Sequence, residues 1–553
     1  MADPAPAARV VFLGGLGEIG RNCAVVEYAG ARLLLDCGLA FPDADQPGVD
    51  IILPDFAYLA EEPERVIGVV LTHAHEDHMG ALPYFLRDFD VPVYGTRLSL
   101  GMLSAKLEEH DLAPSLVEVG AGERSTLGPF DLEFFAVSHS IPDGVAVAIR
   151  SPAGTIVHTG DFKLDLTPID RRPTDLGGLA RLAGEGIDLL LSDSTNAEVP
   201  GFIPPEVEVG RAFADIVAAA RRRVVVACFA SHVHRMQQIL DAADQGGRKV
   251  ALVGRSMLRN VRVAHELGYL RVPPGLLIPI EELGAYPPER TVVLCTGSQG
   301  EPFSALALMA ARDHKWVRIE PGDTVVLSSS LIPGNEPAVY RTINDLARQG
   351  AEVLHRGNAK VHVSGHAAQG ELTLLLATLR PRHFTPVHGE YRHLASHARL
   401  AASTGIPDEA IFICQDGDVL ELEGGRVRRG GEVRAGMVFV DGLGIGDVGD
   451  AVLRDRRKLG EEGFVHVIAT VEAQTGKVLA GPDIVTRGFV YEPESADLID
   501  EARARVLASL DRAAREGVSD PVILKQAMRE AASTLFRERT QRRPVIVPTV
   551  MEV

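Results

Sequence analysis

Thr72-His73-Ala74-His75-Glu76-Asp77-His78 constrains this chain more than any other segment. Three histidines and two carboxylates fall in the six positions 73–78. They follow residues 66–71, a β-branched apolar run that predicts a fully buried strand, and precede residues 81–89, predicted helical. So many ionisable groups are costly in a core and unneeded on a surface. In an extended segment His73 and His75 point the same way, because side chains alternate with period two. Asp77 and His78 then turn with the chain into the helix start. The arrangement lets two ligands serve one cation and two serve a second, and imidazole with carboxylate suits Zn²⁺ or Mn²⁺. A solvated polar loop is the competing reading, and the spacing favours chelation.

The 553 residues correspond to about three domains at ~100–200 residues each. Hydrophobic residues at 46% and charged residues at 24% are ordinary globular values and exclude wholesale disorder. The formal net charge of -19 argues against passive adhesion to nucleic acid or anionic membrane, while leaving room for a locally basic groove. Cys23, Cys37, Cys228, Cys295 and Cys414 are scattered and form no C-x-x-C pair, which opposes a disulfide framework or a thiolate zinc site. The opening Met1-Ala-Asp-Pro-Ala-Pro lacks the charge and apolar core of a signal peptide, and no apolar run approaches the ~18–20 residues of a membrane span. A cytoplasmic protein without membrane contact is expected.

Residues 1–209 predict short strands punctuated by glycine, with helices inserted between them. From residue 210, helices and strands alternate as in a parallel sheet: helix 211–222, strand 224–227, helix 234–243, strand 249–253, and so on to strand 324–327 and helix 338–349. After Gly370 come a helix (371–379), a strand (383–387) and a β-rich stretch to about residue 450. Residues 453–458 predict a basic surface linker, and 464–553 a small α/β unit with two long helices.

Gly15-Leu-Gly17-Glu-Ile-Gly20, with Asp36 sixteen residues beyond, imitates a dinucleotide fingerprint. That chemistry needs a helix opening at the third glycine to hold a pyrophosphate. Residues 21–28 predict a strand instead, so glycines in a tight turn are the better reading.

His73-x-His75-x-Asp77-His78 resembles the signature of the metallo-β-lactamase superfamily, and its other motifs follow in order: Asp36 after Leu33-Leu34-Leu35, His139 in Ser138-His139-Ser140, Asp161 in Thr159-Gly160-Asp161. Each is weak alone; together they are specific. The resemblance implies that His73, His75 and His139 hold one metal, that Asp77 and His78 hold the other, and that Asp161 bridges. Asp36 would orient the ligands without binding metal. Asp193 in Ser192-Asp193-Ser194, His366 in His362-Val363-Ser364-Gly365-His366 and His388 in Val387-His388-Gly389 look like the three motifs of the β-CASP group, with His388 the last ligand of the second metal.

Longer strings resemble the bacterial ribonuclease J family across essentially the whole chain: residues 13–20, 229–235, 296–302, 328–334, 440–447, 481–489 and 550–553. The implied fold is α/β: a metallo-β-lactamase αββα sandwich (1–209 and 371–450), an inserted parallel α/β β-CASP domain (210–370), a linker (451–463) and a small C-terminal α/β domain (464–553) that forms oligomers. The implied activity is 5′→3′ exonucleolytic and endonucleolytic cleavage of RNA by two divalent cations, in RNA maturation and mRNA decay. Asp77, Asp193 and His366 would be catalytic. Ser231, His232 and Val233, with His362, Val363, Ser364, Gly365 and His366, would hold substrate phosphates, including a 5′-monophosphate; ordinary polar turns are the competing reading of these segments. His232 departs from the family, where Asn is common. Pro47, Val49 and Asp441 resemble a calcium-type structural site, although an Asp-Gly turn explains Asp441 equally well. Arg454, Arg456, Arg457 and Lys458 would guide RNA or simply face solvent. Implied partners are single-stranded RNA, a second copy of the chain and other RNA-decay proteins. The competing functions are a small-molecule metallohydrolase, which the long insertion opposes, and a non-catalytic RNA-binding homologue, which the full ligand set opposes.

Overall fold

The computed structural model describes residues 6–43, 45–332, 334–490 and 495–553. The opening residues 1–5, read above as unlike a leader, and Pro333 of the 328–334 string lie outside the described residues. The chain forms two compact units, one comprising residues up to Phe41 with Ile51–Val438, the other Pro42–Asp50 with Phe439–Val553.

In the first unit, β-branched and apolar runs build two facing sheets. One has eight strands in the order Arg426–Glu432, Asp418–Glu423, Ala8–Gly14, Cys23–Tyr28, Ala31–Leu35, Val66–Val70, Val93–Gly95 and Leu116–Glu118. The other has six, in the order His383–Val387, Leu189–Asp193, Gly154–His158, Gly144–Ser151, Phe130–Val137 and Arg124–Leu127. Val10, Phe12, Leu33 and Leu35 of the first sheet and Phe134, Val147, Leu189 and Leu191 of the second share one core. Residues of opposite parity on the second sheet, such as Phe135, Ala146 and Leu190, pack on Leu179 and Leu182 of helix Leu176–Glu185 and on Leu372 and Leu375 of helix Gln369–Leu379. Val11, Val25 and Leu34 of the first sheet are buried as well, so both faces of both sheets are covered. This is the expected αββα sandwich.

Between its strands Leu189–Asp193 and His383–Val387, which pair in parallel, the chain makes a third sheet, wholly parallel. Its order is Leu277–Ile278, Lys249–Val253, Thr291–Cys295, Val224–Ala227, Thr324–Leu327, Glu352–His355. Its strands are near-continuous apolar runs, as burial on both faces requires.

The second unit centres on Phe464–Val471, antiparallel to Val478–Arg487 and parallel to Val545–Glu552. Val465, Val467 and Val471 face Val506 and Leu510 of helix Ala496–Arg515 and Met528 and Phe536 of helix Pro521–Thr540. Phe464, His466, Ile468 and Thr470 alternate onto the other face and are only half-buried.

Three segments differ from expectation. The β-rich stretch expected after residue 387 contains helix Tyr391–Ser403, whose Ala, Leu and Arg content favours helix. The expected linker is helix Asp450–Glu462; its charges are a solvated helical face carrying one buried leucine, Leu453. Residues 439–450, expected with the sandwich, belong to the second unit, where the Asp50 amide donates to the Val440 carbonyl at 2.8 Å.

Candidate functional site

Parallel strands deliver the ionisable residues to one edge. Ala31–Leu35 ends at Asp36 and its parallel neighbour Val66–Val70 runs on to His73. In the second sheet Gly154–His158, Leu189–Asp193 and His383–Val387 lie side by side in parallel, so Asp161, Asp193 and His388 emerge together. Residues past the carboxyl ends of parallel strands are where such sheets build sites. His75 stays extended (φ -82°, ψ 153°) and the turn Glu76–Met79 starts behind it. A backbone cradle holds that turn: the Leu39, Asn22 and Cys37 amides donate to the carbonyls of Glu76, Asp77 and His78 at 3.0, 3.0 and 2.7 Å. Gly38 is needed for close approach, since a Cβ there would lie 1.6 Å from the Asp77 carbonyl oxygen.

His73, His75, His139 and Asp161 bring one donor atom each within 4.8 Å of one another, and so do Asp77, His78, Asp161 and His388. Asp161 belongs to both sets. Its Oδ2 lies 3.5 Å from His73 Nε2, 3.6 Å from His139 Nε2 and 3.2 Å from His78 Nε2. On the far side of the rings the tautomers are set. His78 Nδ1 donates to Asp36 Oδ2 at 2.7 Å, and His139 Nδ1 donates to the Gly365 carbonyl at 2.8 Å. Thr72 Oγ1 gives its proton to Asp36 Oδ2 at 2.8 Å and accepts from His73 Nδ1 at 3.1 Å. Each ring therefore turns an Nε2 lone pair inward.

Burial, reinforced by neighbouring imidazoles, holds His73 and His139 well below the usual histidine range, and burial pushes His75 down to about 4. Neutral imidazoles are the form that binds metal. At His78 and His388 burial also opposes charge, but the Asp161 carboxylate outweighs it, raising His388 to about 10. His75 Nδ1 lies 3.1 Å from both His73 Nε2 and His139 Nε2, close enough for the three nitrogens to share a proton or one cation. Asp161 Oδ2 and His388 Nε2 are buried with no hydrogen-bond partner. The donor set thus fits divalent cations. Asp36 and His388 have left-handed backbone (φ 56° and 54°), a strain characteristic of functional sites.

Asp161, Asp193, His366 and His388 also converge. His366 Nδ1 donates to Asp193 Oδ2 at 2.8 Å. Burial opposes charge on His366, and the carboxylates of Asp193 and Asp161 override it, so its pKa is raised.

Ser231 and Val233 flank His232, the residue that caps helix Val233–Gln245, and the Val233 amide donates to the Ser231 carbonyl at 2.9 Å. The fully buried His232 is committed to that helix: its Nδ1 accepts from the Arg235 amide at 3.3 Å. Its ring lies 6.5 Å from that of His362, so the two expected phosphate-binding segments meet. His362 Nδ1 is buried without a partner. Ser364 Oγ accepts from Asn196 Nδ2 at 2.8 Å and from the His366 amide at 3.2 Å.

The calcium-type site does not fit. The Asp441 carboxylate is paired with Arg456, whose guanidinium also donates to the Pro47 carbonyl at 3.1 Å. A cationic side chain therefore bridges two of the three expected ligands. Val49 is buried beside them. Arg456 is thus paired within the unit, and Arg457 lies 3.8 Å from Asp45. Asp36 serves His78 and Thr72, which removes the dinucleotide reading.

Sequence reasoning passed over Asn196, Thr72 and the fully buried Arg235, which binds Glu206 Oε1 at 2.7 Å and the Val361 carbonyl at 2.8 Å. Asn196 lies three residues after Asp193, and that closeness was the available signal. Among the described residues no helix is long and apolar enough to cross a membrane.

Residues 16–197 match the metallo-beta-lactamase superfamily, 221–346 the ribonuclease J beta-CASP domain, 351–411 the Zn-dependent metallo-hydrolase RNA specificity domain and 451–553 the ribonuclease J C-terminal domain. The chain is 46% identical over 558 residues to a ribonuclease J of Mycolicibacterium smegmatis, covering 100% of this chain and 99% of that protein. It is 47% identical over 546 residues to a ribonuclease J of Mycobacterium tuberculosis (99% and 97%). It is 44% identical over 563 residues to one of Thermus thermophilus (99% and 96%). A solved protein of unknown function from Enterococcus faecalis superposes with a TM-score of 0.53 at 17% identity, over 75% of this chain and 100% of that one, a likeness of fold alone.

Proposed function

The chain belongs to the ribonuclease J family and is a metal-dependent ribonuclease, and on that premise we propose that it shortens RNA 5′→3′ from 5′-monophosphorylated ends, with endonucleolytic cleavage as a second activity. One observation carries this reading. The segment His362-Val363-Ser364-Gly365-His366 has an orphaned imidazole nitrogen at one end and the Asp193-paired His366 at the other. A terminal phosphate held by His362, Ser364 and the helix start at Ser231 would set the register of cleavage at His366.

His73, His75 and His139 would hold one cation, Asp77, His78 and His388 the other, with Asp161 shared. Two divalent cations supply hydroxide at neutral pH and neutralise charge developing on a phosphodiester. The imidazole and carboxylate donors suit Zn²⁺ or Mn²⁺. His366, its Nδ1 proton held by Asp193, would in its protonated form give the Nε2 proton to the departing 3′-oxygen. Asp36 and Thr72 keep the ligand rings aimed.

Single-stranded RNA is the substrate under this reading, and a second copy of the chain is the partner. The half-buried to exposed sheet face of the second unit, bearing Phe464, His466, Ile468, Val485 and Val547, supports a homodimer or tetramer. RNA maturation and mRNA decay in the cytoplasm, with other RNA-decay proteins, is the setting that family membership supports.

The test is 5′-labelled, monophosphorylated RNA incubated with purified protein and Mn²⁺ or Zn²⁺. Mononucleotides should appear from the 5′ end, and His366→Ala and Asp77→Ala should each slow the reaction by about 10²-fold or more. Equal degradation by wild type and variants would refute the site, and cleavage of a small ester in place of RNA would favour the metallohydrolase.

A further inference from the structure

Gly365 lies between the residues proposed to hold the 5′-phosphate and the ligands proposed to hold metal. Its carbonyl accepts the His139 Nδ1 proton at 2.8 Å. Its backbone is not left-handed, so conformational freedom does not require glycine here. Space does: a Cβ would lie 2.7 Å from His139 Cε1, 2.8 Å from its Nδ1 and 3.0 Å from Ser140 Cβ. A methyl group cannot enter that gap unless the His139 ring moves, and that ring already faces His75 Nδ1 at 3.1 Å.

The direction of the Gly365 carbonyl is fixed from both sides by one amide. Asn196 Nδ2 donates to Ser364 Oγ on one flank and to the His366 carbonyl on the other, each at 2.8 Å. Asn196 also lies three residues after Asp193, so the strand that positions the proton-donating pair positions the clamp as well. Ser364 and His362, on the same arch, are the groups that would take the terminal phosphate.

We infer that Gly365, clamped by Asn196, is a positioning residue that couples the 5′-phosphate pocket to the metal ligand His139. An anion on Ser364 and His362 holds the arch in the one shape that aims His139 Nε2 inward, so phosphate occupancy and metal occupancy favour each other. Such coupling is reciprocal by thermodynamic necessity. The inference rests on the phosphate-pocket reading above and adds a linkage which that reading does not require.

The test is Mn²⁺ binding to the full-length protein by electron paramagnetic resonance, alone and with saturating adenosine 5′-monophosphate. Adenosine 3′-monophosphate, which chelates Mn²⁺ in solution alike, is the control. The 5′-nucleotide should tighten one Mn²⁺ site about five-fold or more, within the usual range of coupling, and the 3′-nucleotide should not. In Asn196→Ala, Mn²⁺ should still bind while the 5′-specific tightening disappears. Gly365→Ala should lose one of two Mn²⁺ ions, whereas Ser364→Ala should keep both and lose only the nucleotide effect. Binding of the 5′-nucleotide with no change in Mn²⁺ affinity overturns the coupling, as does Gly365→Ala that binds two Mn²⁺ as wild type does. Failure of the 5′-nucleotide to bind at all overturns the phosphate-pocket reading instead.

Discussion

Asp36 accepts three hydrogen bonds, from the Thr72 amide at 2.7 Å, the Thr72 hydroxyl at 2.8 Å and His78 Nδ1 at 2.7 Å. It binds nothing itself, yet it fixes the tautomer of His78 directly and that of His73 through the Thr72 hydroxyl. Groups in this position typically hold 10–100-fold of metal affinity. Asp36→Asn should therefore weaken Mn²⁺ binding by about that factor while leaving the fold intact, measured by isothermal titration with circular dichroism as the control. Unchanged affinity would show that the ligands orient themselves. At this scale the sequence was informative because ligand identity is a property of side chains: His73, His75, Asp77 and His78, with His139, Asp161, Asp193, His366 and His388, converge on the one cluster, while Glu76 turns away to pair with Lys106. Roles that rest on a single approach distance, such as those of Gly38 and Gly365, leave no such mark in composition or spacing.

Helix Tyr391–Ser403 shows what an element adds. It carries His397, fully buried, whose Nδ1 donates to Ser194 Oγ at 3.0 Å while its ring packs edge-on against Phe384 at 4.7 Å. Burial pushes His397 down to about 3. Its folded pKa therefore lies below its unfolded value of ~6.5. Stability contributed by the neutral ring is complete above ~6.5 and is lost as pH falls toward about 3, at up to about 1.4 kcal/mol per pH unit. Urea denaturation at pH 7, 6 and 5 should give a flatter loss for His397→Gln than for wild type, and parallel slopes would contradict the assignment. This helix was not legible beforehand because its polar and apolar residues fit a half-buried strand region as well as a helix. The strands 224–227, 249–253, 324–327 and 383–387 were legible to the residue, the first three because a short apolar run rich in valine and bounded by turn residues admits little else. The helix Asp450–Glu462 was misjudged because charge was taken for a linker, where it is a solvated face.

For the whole molecule, the charge of -19 makes non-specific grip on a polyanion weak. Affinity for RNA should then depend on the 5′ end: filter binding at ~0.15 M salt should show 5′-monophosphorylated RNA held at least ten-fold tighter than its 5′-hydroxyl counterpart, and equal affinities would remove the terminal pocket from recognition. The second unit leaves Val485 and Val547, each about two-fifths exposed, on its sheet. Val547→Lys should shift the protein toward monomer in analytical ultracentrifugation without unfolding it, and an unchanged oligomer would place the contact elsewhere.

By itself the sequence determined which residues could bind metal, that two cations could share them, the family and the order of the layers. The metal-binding character follows from residue type and spacing, which are local; the family and the order of the layers follow from the resemblance carried by motifs along the whole chain. The tertiary structure decided what depends on distance between parts far apart in the chain. It showed that Asp36 holds ligands and no ribose, that Arg456 lies between Asp441 and Pro47 where a calcium ion was expected, and that Gly365 meets His139 across 226 residues. Such contacts are set by packing, in which many sequences put the same residue types at the same spacings, and only the folded chain selects which of them touch.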